Sequence, residues 1–302
     1  MTRLQRALLS WYGRSGRKTL PWRSSRDPYR ILVSEFMLQQ TQVDRVVLAY
    51  RRFIRAFPSF TALATAPTAD VVRAWKGLGY NTRAVRLKRI AQEVVQQHRG
   101  SLPKEKESLL AMQGIGEYTA AAVRVFAFDC DDTAVDANVR RVVHRVLHGP
   151  EFPPITADKL REEALLLVPR GRAHDWNSAL MDVGALVCTA RAPACGICPV
   201  RKHCAAAPLK EDRLARLRLR HGRAKSPQER IPFSLTTRFA RGRIVDRLRA
   251  LPPGQRISLL DLQLQLRDVL SRTSLELVEP LVVQLERDGL VQRDGDRIGL
   301  SD

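Results

Sequence analysis

The stretch LLAMQGIGEYTA, from Leu109 to Ala120, decides the predicted fold. An amphipathic run ends at Gly114-Ile115-Gly116, and a second helical run begins at once with Glu117. Two glycines around one apolar residue predict a tight turn between two helices, because glycine tolerates positive φ. Ile115 is expected to anchor the turn in the core, and the amide of Gly116 is open to a phosphate. This pattern predicts a helix-hairpin-helix, with an ordinary helix–helix turn as the alternative.

A lone carboxylate, Asp136, follows the hairpin in the run VDANVRRV. Aspartate is a favoured N-cap, so a helix is expected from Ala137 onward. A fixed anion can also stabilise a cationic sugar in a transition state, which makes Asp136 a candidate catalytic residue. Asn138 is expected to hold the local backbone.

The charge balance points to a polyanionic partner. The 302 residues include 51 Lys and Arg against 31 Asp and Glu, a net charge of +20, which favours nucleic acid. No apolar run is long enough to span a bilayer, and the N-terminus lacks the apolar core of a secretion signal. We therefore expect an intracellular, cytoplasmic and nucleoid-associated protein, with no membrane partner and reduced cysteines.

Four further motifs accompany the hairpin: Leu20-Pro21-Trp22-Arg23, SEFMLQQTQV from Ser34 to Val43, Gly77-Leu78-Gly79-Tyr80, and a loop with four cysteines. With them the chain resembles the helix-hairpin-helix (HhH-GPD, endonuclease III-like) DNA glycosylase superfamily, and within it the MutY-type adenine glycosylases. The resemblance covers about residues 1–207. It implies base excision repair by hydrolysis of an N-glycosidic bond.

Two carboxylates carry the implied chemistry. Glu35 interrupts the apolar run from Ile31 to Leu38, and burial there is expected to raise its pKa so that it serves as a general acid. An exposed glutamate is the alternative from composition alone; the resemblance assigns Glu35 as the catalytic glutamate and Asp136 as the superfamily's aspartate. Tyr118 stands where bifunctional relatives carry a lysine. Since a phenol forms no Schiff base, a monofunctional enzyme is expected, with Tyr118 near Asp136.

The resemblance also implies a set of DNA-contacting residues. Gln40 and Tyr80 match residues inserted into the duplex when a base is flipped out, with a core tyrosine as the alternative for Tyr80. Residues that match positions lining the base pocket are Trp22, Arg23, Ser178 and Asp182; the hairpin glycines Gly114 and Gly116 approach the backbone. Ser178 departs from the glutamine that the family often has there.

Cys188, Cys195, Cys198 and Cys204 have the spacing C-x6-C-x2-C-x5-C, which predicts a metal site. Four thiolates suit zinc as well as an iron–sulfur cluster. The resemblance implies a [4Fe–4S] cluster. Cys130 stands apart and is expected to be a buried thiol.

The predicted architecture is an all-α, two-lobed glycosylase core over 1–207, with a barrel lobe at about 26–130 and a cluster lobe of 1–25 plus 131–207. A basic segment, 208–230, is expected to be a linker or a helix that follows phosphates. Residues 231–302 show three helical runs and a terminal hairpin at Asp294-Gly295, which predicts a winged-helix-like α+β module.

The predicted function is a monomeric, monofunctional glycosylase that removes adenine mispaired with guanine or 8-oxoguanine from double-stranded DNA. A mismatch thymine glycosylase acting on T/G or U/G pairs is the alternative. A non-catalytic protein that binds damaged DNA is a further alternative.

Overall fold

The computed structural model describes residues 1–150, 154–221 and 231–302. The described residues fall into two compact units. The first lies within Met1–Ile31, Lys104–Ala111 and Ile115–Lys225, and the second within Leu32–Pro103, Met112–Gly114 and Ser226–Asp302.

The first unit is helical and contains the cysteine loop. Its helices are α1 (Arg3–Ser15), α7 (Lys106–Ala111), α8 (Glu117–Phe126), α9 (Ala137–His148), α10 (Ala157–Leu166), α11 (Ala173–Leu186) and α12 (Glu211–His221), while α2 (Pro28–Leu38) starts here and ends in the second unit. A capping box begins α1, where Thr2 accepts from the Gln5 amide and Gln5 accepts from the Thr2 amide. The apolar faces of α1, α9 and α11 then share one core around Leu8, Val142 and Trp176.

The second unit joins a helical layer to the C-terminal module. Its helical layer consists of α3 (Val43–Ala56), α4 (Phe60–Thr65), α5 (Thr68–Ala74) and α6 (Thr82–Gln97). The module consists of α13 (Thr237–Ala250), β1 (Ile257–Ser258), α14 (Leu259–Leu266), α15 (Arg272–Glu276), α16 (Val278–Arg287), β2 (Val291–Asp294) and β3 (Arg297–Leu300). The core of the module includes Ala69, Val72 and Val85 of the helical layer.

The predicted terminal hairpin is confirmed, and it belongs to a small sheet. Strand β3 pairs antiparallel with β2 and with β1, giving the order β1-β3-β2. The two residues between the paired Asp294 and Arg297 are Gly295 and Asp296, so the turn lies one residue later than predicted. Gly295 takes a φ of +61°, as expected for the first central position of a two-residue hairpin.

Two helices differ from the runs that the sequence predicts. The apolar run predicts a helix from about Tyr29 to Gln42, but α2 ends at Leu38, because Gln40 has a positive φ of 53°. One helix is predicted over Ser274–Asp288, but the structure has two, separated at Leu277. Pro280 explains this break, since a proline clashes with the carbonyl four residues earlier, here that of Glu276.

The domain boundaries stay a prediction. The predicted barrel lobe at 26–130 is shared between the compact units: helix α8 belongs to the unit that contains Met1–Ile31, and residues 32–103 belong to the other. Of the predicted basic segment, Glu211–His221 is helical, while Arg223 and Lys225 lie outside the described residues. No helix in the described ranges is both long and apolar enough to span a membrane.

Candidate active site and cysteine loop

The hairpin turn needs its first glycine more than its second. Gly114 has a φ of +106°, and a Cβ there would lie 3.7 Å from Ile90 Cδ1. Gly116 instead has an extended φ of −99°, and a Cβ there would meet no atom within 4 Å. The prediction of a positive φ is therefore wrong for Gly116. This glycine instead leaves the backbone open at the start of α8. Ile115 is buried, as predicted.

Asp136 is the N-cap of α9, as predicted. Its Oδ1 accepts from the Val139 amide at 2.7 Å, and its Oδ2 accepts from Asn138 Nδ2 at 3.0 Å. Both oxygens are thus held by hydrogen bonds. The half-buried carboxylate has a fixed orientation, and Asn138 is the residue that holds it from the side.

One face of α9 connects Asp136 with the cysteine loop. Arg141 donates to Asn138 Oδ1 at 2.9 Å, to the Gly184 carbonyl at 2.6 Å and to the Cys188 carbonyl at 2.7 Å. One turn later, the buried Arg145 donates to the carbonyls of Thr189 at 2.8 Å and Ala190 at 3.1 Å. Sequence reasoning missed both arginines.

The backbone before Asp136 is fixed from α11 by Asn177, another residue that the sequence did not single out. Its Oδ1 accepts from the Ala134 amide at 2.9 Å, and its Nδ2 donates to the carbonyls of Asp132 and Ala173. The neighbouring Ser178 is completely buried, and its Oγ has no hydrogen-bond partner among the described residues.

The four cysteines of the loop form no disulfide, and they line one cavity together with Arg145, Arg201 and mostly apolar side chains. Burial raises the pKa of the Cys198 thiol to about 11 and also raises the pKa of Cys204. Within the described ranges, no three His, Cys, Asp or Glu side chains are placed to hold a single metal ion. Four thiols around a shared cavity fit an iron–sulfur cluster, whose ligands are cysteine thiolates.

Asp182, predicted to line the base pocket, is completely buried and paired with arginines. It accepts from the Arg17 amide at 2.8 Å and from Arg17 Nε at 2.9 Å, and it lies 3.4 Å from Arg23 Nη2. The Arg23 guanidinium also lies over the Phe126 ring, and the neighbouring Trp22 is buried. Asp182 therefore orders the loop that carries Trp22 and Arg23.

The predicted catalytic residues are divided between the two units. Tyr118, in α8 of the first unit, is half-buried against an apolar cluster that includes Ala121 and Ala134. Glu35, in the second unit, is only 6% exposed within a fully buried run of α2, as its apolar neighbours predicted. The approach of Glu35 and Tyr118 to Asp136 stays a prediction.

Gln40 and Tyr80 are brought together in the second unit, where both line one cavity. Both are exposed, and both have positive φ, 53° and 45°. Their two turns are held by Arg83, which is 5% exposed. Its guanidinium donates to six acceptors: the carbonyls of Phe36, Met37, Gln39, Leu78 and Gly79, and Thr41 Oγ1. Sequence reasoning missed Arg83 as well.

Comparison with known proteins relates two segments of the chain to DNA repair enzymes. Residues 33–170 match the sequence model of the HhH-GPD superfamily base excision DNA repair proteins, and residues 188–204 match the iron-sulfur binding domain of endonuclease III. The chain is 43% identical over 251 residues to an adenine DNA glycosylase of Mycobacterium tuberculosis, covering 80% of this chain and 77% of the relative. A thymine/uracil-DNA glycosylase of Pyrobaculum aerophilum is 34% identical over 204 residues, covering 66% and 89%.

Solved structures show the same fold. A thermostable thymine-DNA glycosylase superposes with a TM-score of 0.62 at 34% identity, over 66% of this chain and 92% of that one. Endonuclease III in a non-covalent DNA complex superposes with a TM-score of 0.58 at 18% identity, over 73% and 99%.

Proposed function

This chain belongs to the adenine DNA glycosylases of the HhH-GPD superfamily, and we propose that it hydrolyses the N-glycosidic bond of adenine mispaired with guanine or 8-oxoguanine. The single observation that carries the proposal is the fixed carboxylate of Asp136, with both oxygens held at the start of α9. An anion oriented in this way is suited to the positive charge that a sugar develops as its base departs.

Glu35 supplies the second carboxyl group of the proposal. It lies in the buried run of α2, and we assign it as the general acid that protonates a purine nitrogen and improves the leaving group. Asp136 then stabilises the cationic sugar while water completes the hydrolysis. Tyr118 replaces the amine that bifunctional relatives use, so the strand is left uncut.

DNA is engaged through several separate features. The open amides around Gly116 suit a phosphate of the backbone, and Gln40 and Tyr80 suit insertion into the space left by the flipped base. Trp22 and Arg23 face the base in this proposal. Ser178 and Asp182 support the pocket from behind, since both are completely buried.

The cofactor is a [4Fe–4S] cluster, because residues 188–204 form the iron–sulfur binding domain of the endonuclease III type. We assign Cys188, Cys195, Cys198 and Cys204 as its ligands. A bound cluster would tie the four thiolates together and would stiffen the loop. Arg141 and Arg145 connect the loop backbone to α9 and so to Asp136.

The experiment is single-turnover base release from duplexes that carry A opposite 8-oxoguanine, A opposite G, and T opposite G. Free adenine from the first two, with a strand that is cut only after alkali, is expected. Thymine release is the second candidate function, favoured by the 34% identity to a thymine/uracil-DNA glycosylase. Release of thymine alone would contradict the proposed substrate, and no release from any duplex would contradict the proposed reaction.

A further inference from the structure

Helix α13 of the C-terminal module holds the turn Gly77–Asn81 through two arginines on one face. Arg238 and Arg249 are eleven residues apart, which is about three helical turns, so both side chains leave α13 on the same side. Arg249 Nη2 donates to Asn81 Oδ1 at 2.7 Å. Arg238 Nη1 donates to the Tyr80 hydroxyl at 2.5 Å. All of these residues belong to the second unit.

The two contacts differ in how easily they can open. The Arg249 side chain is only 6% exposed, and it also pairs with Asp246 at 3.0 Å and donates to the Val72 carbonyl at 3.0 Å. Arg249 is therefore a fixed part of the packing. Arg238 is exposed and Tyr80 is 41% exposed, so their contact can open without disturbing a core.

The Tyr80 ring lies against two guanidinium groups. The guanidinium carbon of Arg238 is 5.3 Å from the ring centroid, and that of the buried Arg83 is 5.6 Å from it. A cation over an aromatic ring is attracted to it. The Phe233 ring lies 4.9 Å from the Arg238 guanidinium and so holds Arg238 from the side of the module. We refer to Arg83 and Arg238 as the Tyr80 clamp.

The clamp sets a cost on insertion of Tyr80 into DNA. An inserted ring stacks its faces on bases, so the Arg238 guanidinium has to leave the ring first. Leaving breaks one hydrogen bond and one cation–π contact. This cost is the same at every position of a duplex, whereas the cost of opening the duplex is smallest at a mispaired base. With both costs present, insertion is favourable only at weak positions.

We infer that Arg238 is a specificity-determining residue, which restricts insertion of Tyr80 to mispaired positions by holding its ring outside paired DNA. The inference rests on the proposed function, because that function assigns Tyr80 to insertion. Removal of the contact multiplies the equilibrium constant for insertion by the same factor at every position. At a mispair insertion is already nearly complete, so the inserted fraction rises mainly in paired DNA.

The test measures base extrusion by the full chain in two duplexes that carry 2-aminopurine at the target position. The 2-aminopurine is paired with thymine in one duplex and mispaired with guanine in the other. Its fluorescence rises when it leaves the stack, and the fast phase after mixing with saturating protein reports extrusion before any base release. Arg238→Met is expected to raise the extruded fraction up to about tenfold in the paired duplex and little in the mispaired one.

Two variants serve as controls. Arg247→Met removes the same charge from α13 at an exposed residue that donates to the Gln265 carbonyl and not to the turn, and it should behave like wild type. Tyr80→Ala removes the ring that the clamp holds. In the Tyr80→Ala background, Arg238→Met should therefore have no effect on the extruded fraction.

The outcomes separate the clamp from the proposed function. A wild-type signal for Arg238→Met in the paired duplex would overturn the clamp. Weaker binding of both duplexes by Arg238→Met, with a salt dependence reduced by about one phosphate contact, would also overturn it and would make Arg238 a direct contact to the DNA backbone. A wild-type signal for Tyr80→Ala in the mispaired duplex would instead contradict the insertion of Tyr80 in the proposed function.

Discussion

Arg83 is the buried residue on which the turns of Gln40 and Tyr80 depend. Its four terminal N–H groups serve six acceptors in the two turns and at the end of α2. Burial lowers the pKa of the guanidinium to about 10, which still leaves a cation at neutral pH. Arg83→Met keeps the aliphatic stem and removes every one of these bonds.

The expected loss in the free energy of unfolding follows from the number of N–H donors that the substitution removes. Four N–H groups at about 1 kcal/mol each give a loss of about 4 kcal/mol, and release of a buried cation offsets about 1 kcal/mol of it. We expect a net loss of about 3 kcal/mol, or roughly 6–12 °C in Tm for a unit of this size. Arg83→Lys, with fewer donors in a different geometry, should fall between the wild type and Arg83→Met.

The assay is thermal and urea unfolding, with single-turnover base release measured at saturating enzyme. Arg86→Met is the control, because Arg86 is exposed on the same helix. Arg83→Met should unfold at a lower temperature and a lower urea concentration. It should also release base more slowly, since the turns of Gln40 and Tyr80, which are proposed to insert into the duplex, lose their support. If Arg83→Met and Arg86→Met unfolded within about 0.5 kcal/mol of each other, the account of Arg83 would be refuted.

Three further predictions concern the first unit and the hairpin. Gly114→Ala should lower the free energy of unfolding by about 1–2 kcal/mol and weaken DNA binding, because the φ of Gly114 is +106°. Gly116→Ala should unfold like wild type, since its φ is negative. Equal losses of stability in the two variants would contradict this backbone argument. Burial lowers the pKa of His174 below 6.5, so on acidification the unfolded chain binds a proton more readily than the folded chain does. The free energy of unfolding should therefore fall as the pH drops from 7 to 5. In His174→Phe, the free energy of unfolding from urea titrations should depend less on pH between 7 and 5. The same pH dependence as in the wild type would show that other groups cause it. Cys198→Ser should lose iron on purification, while Cys130→Ser should retain it; iron loss in both, or in neither, would contradict the assigned ligands.

Local patterns in the sequence were sufficient to predict most helices and several site residues. The turn at Gly114, the N-cap at Asp136 and the burial of Glu35 all follow from neighbouring residues, and the structure confirms each of them. The resemblance to the glycosylases came from contiguous motifs, and the matches over 33–170 and 188–204 confirm it.

The positioning residues could not be found in this way. Arg83, Arg141 and Arg145 are helical arginines that resemble solvent-exposed ones in the sequence, and their acceptors are mostly more than forty residues away. Asn177 bonds backbone groups at similar separations. Such contacts exist only after the helices have packed, so no local sequence pattern predicts them.

The C-terminal module illustrates the same limit. Its helices and hairpin were predicted, but the two-residue strand β1 is too short to show any periodicity. Its shared core with Ala69, Val72 and Val85, and the contact of Arg238 with Tyr80, join segments about 160 residues apart. The clamp around Tyr80 depends on that packing.

The most direct test of the central claim compares wild type with Asp136→Asn on a duplex that carries A opposite 8-oxoguanine. Adenine release is measured under single-turnover conditions, and the Kd for the duplex is measured separately. Asn keeps the shape and can still accept from the Val139 amide, so binding should persist while the rate falls by at least about 100-fold. A variant that released adenine at the wild-type rate would contradict the assignment of Asp136 as the anion that stabilises the departing sugar.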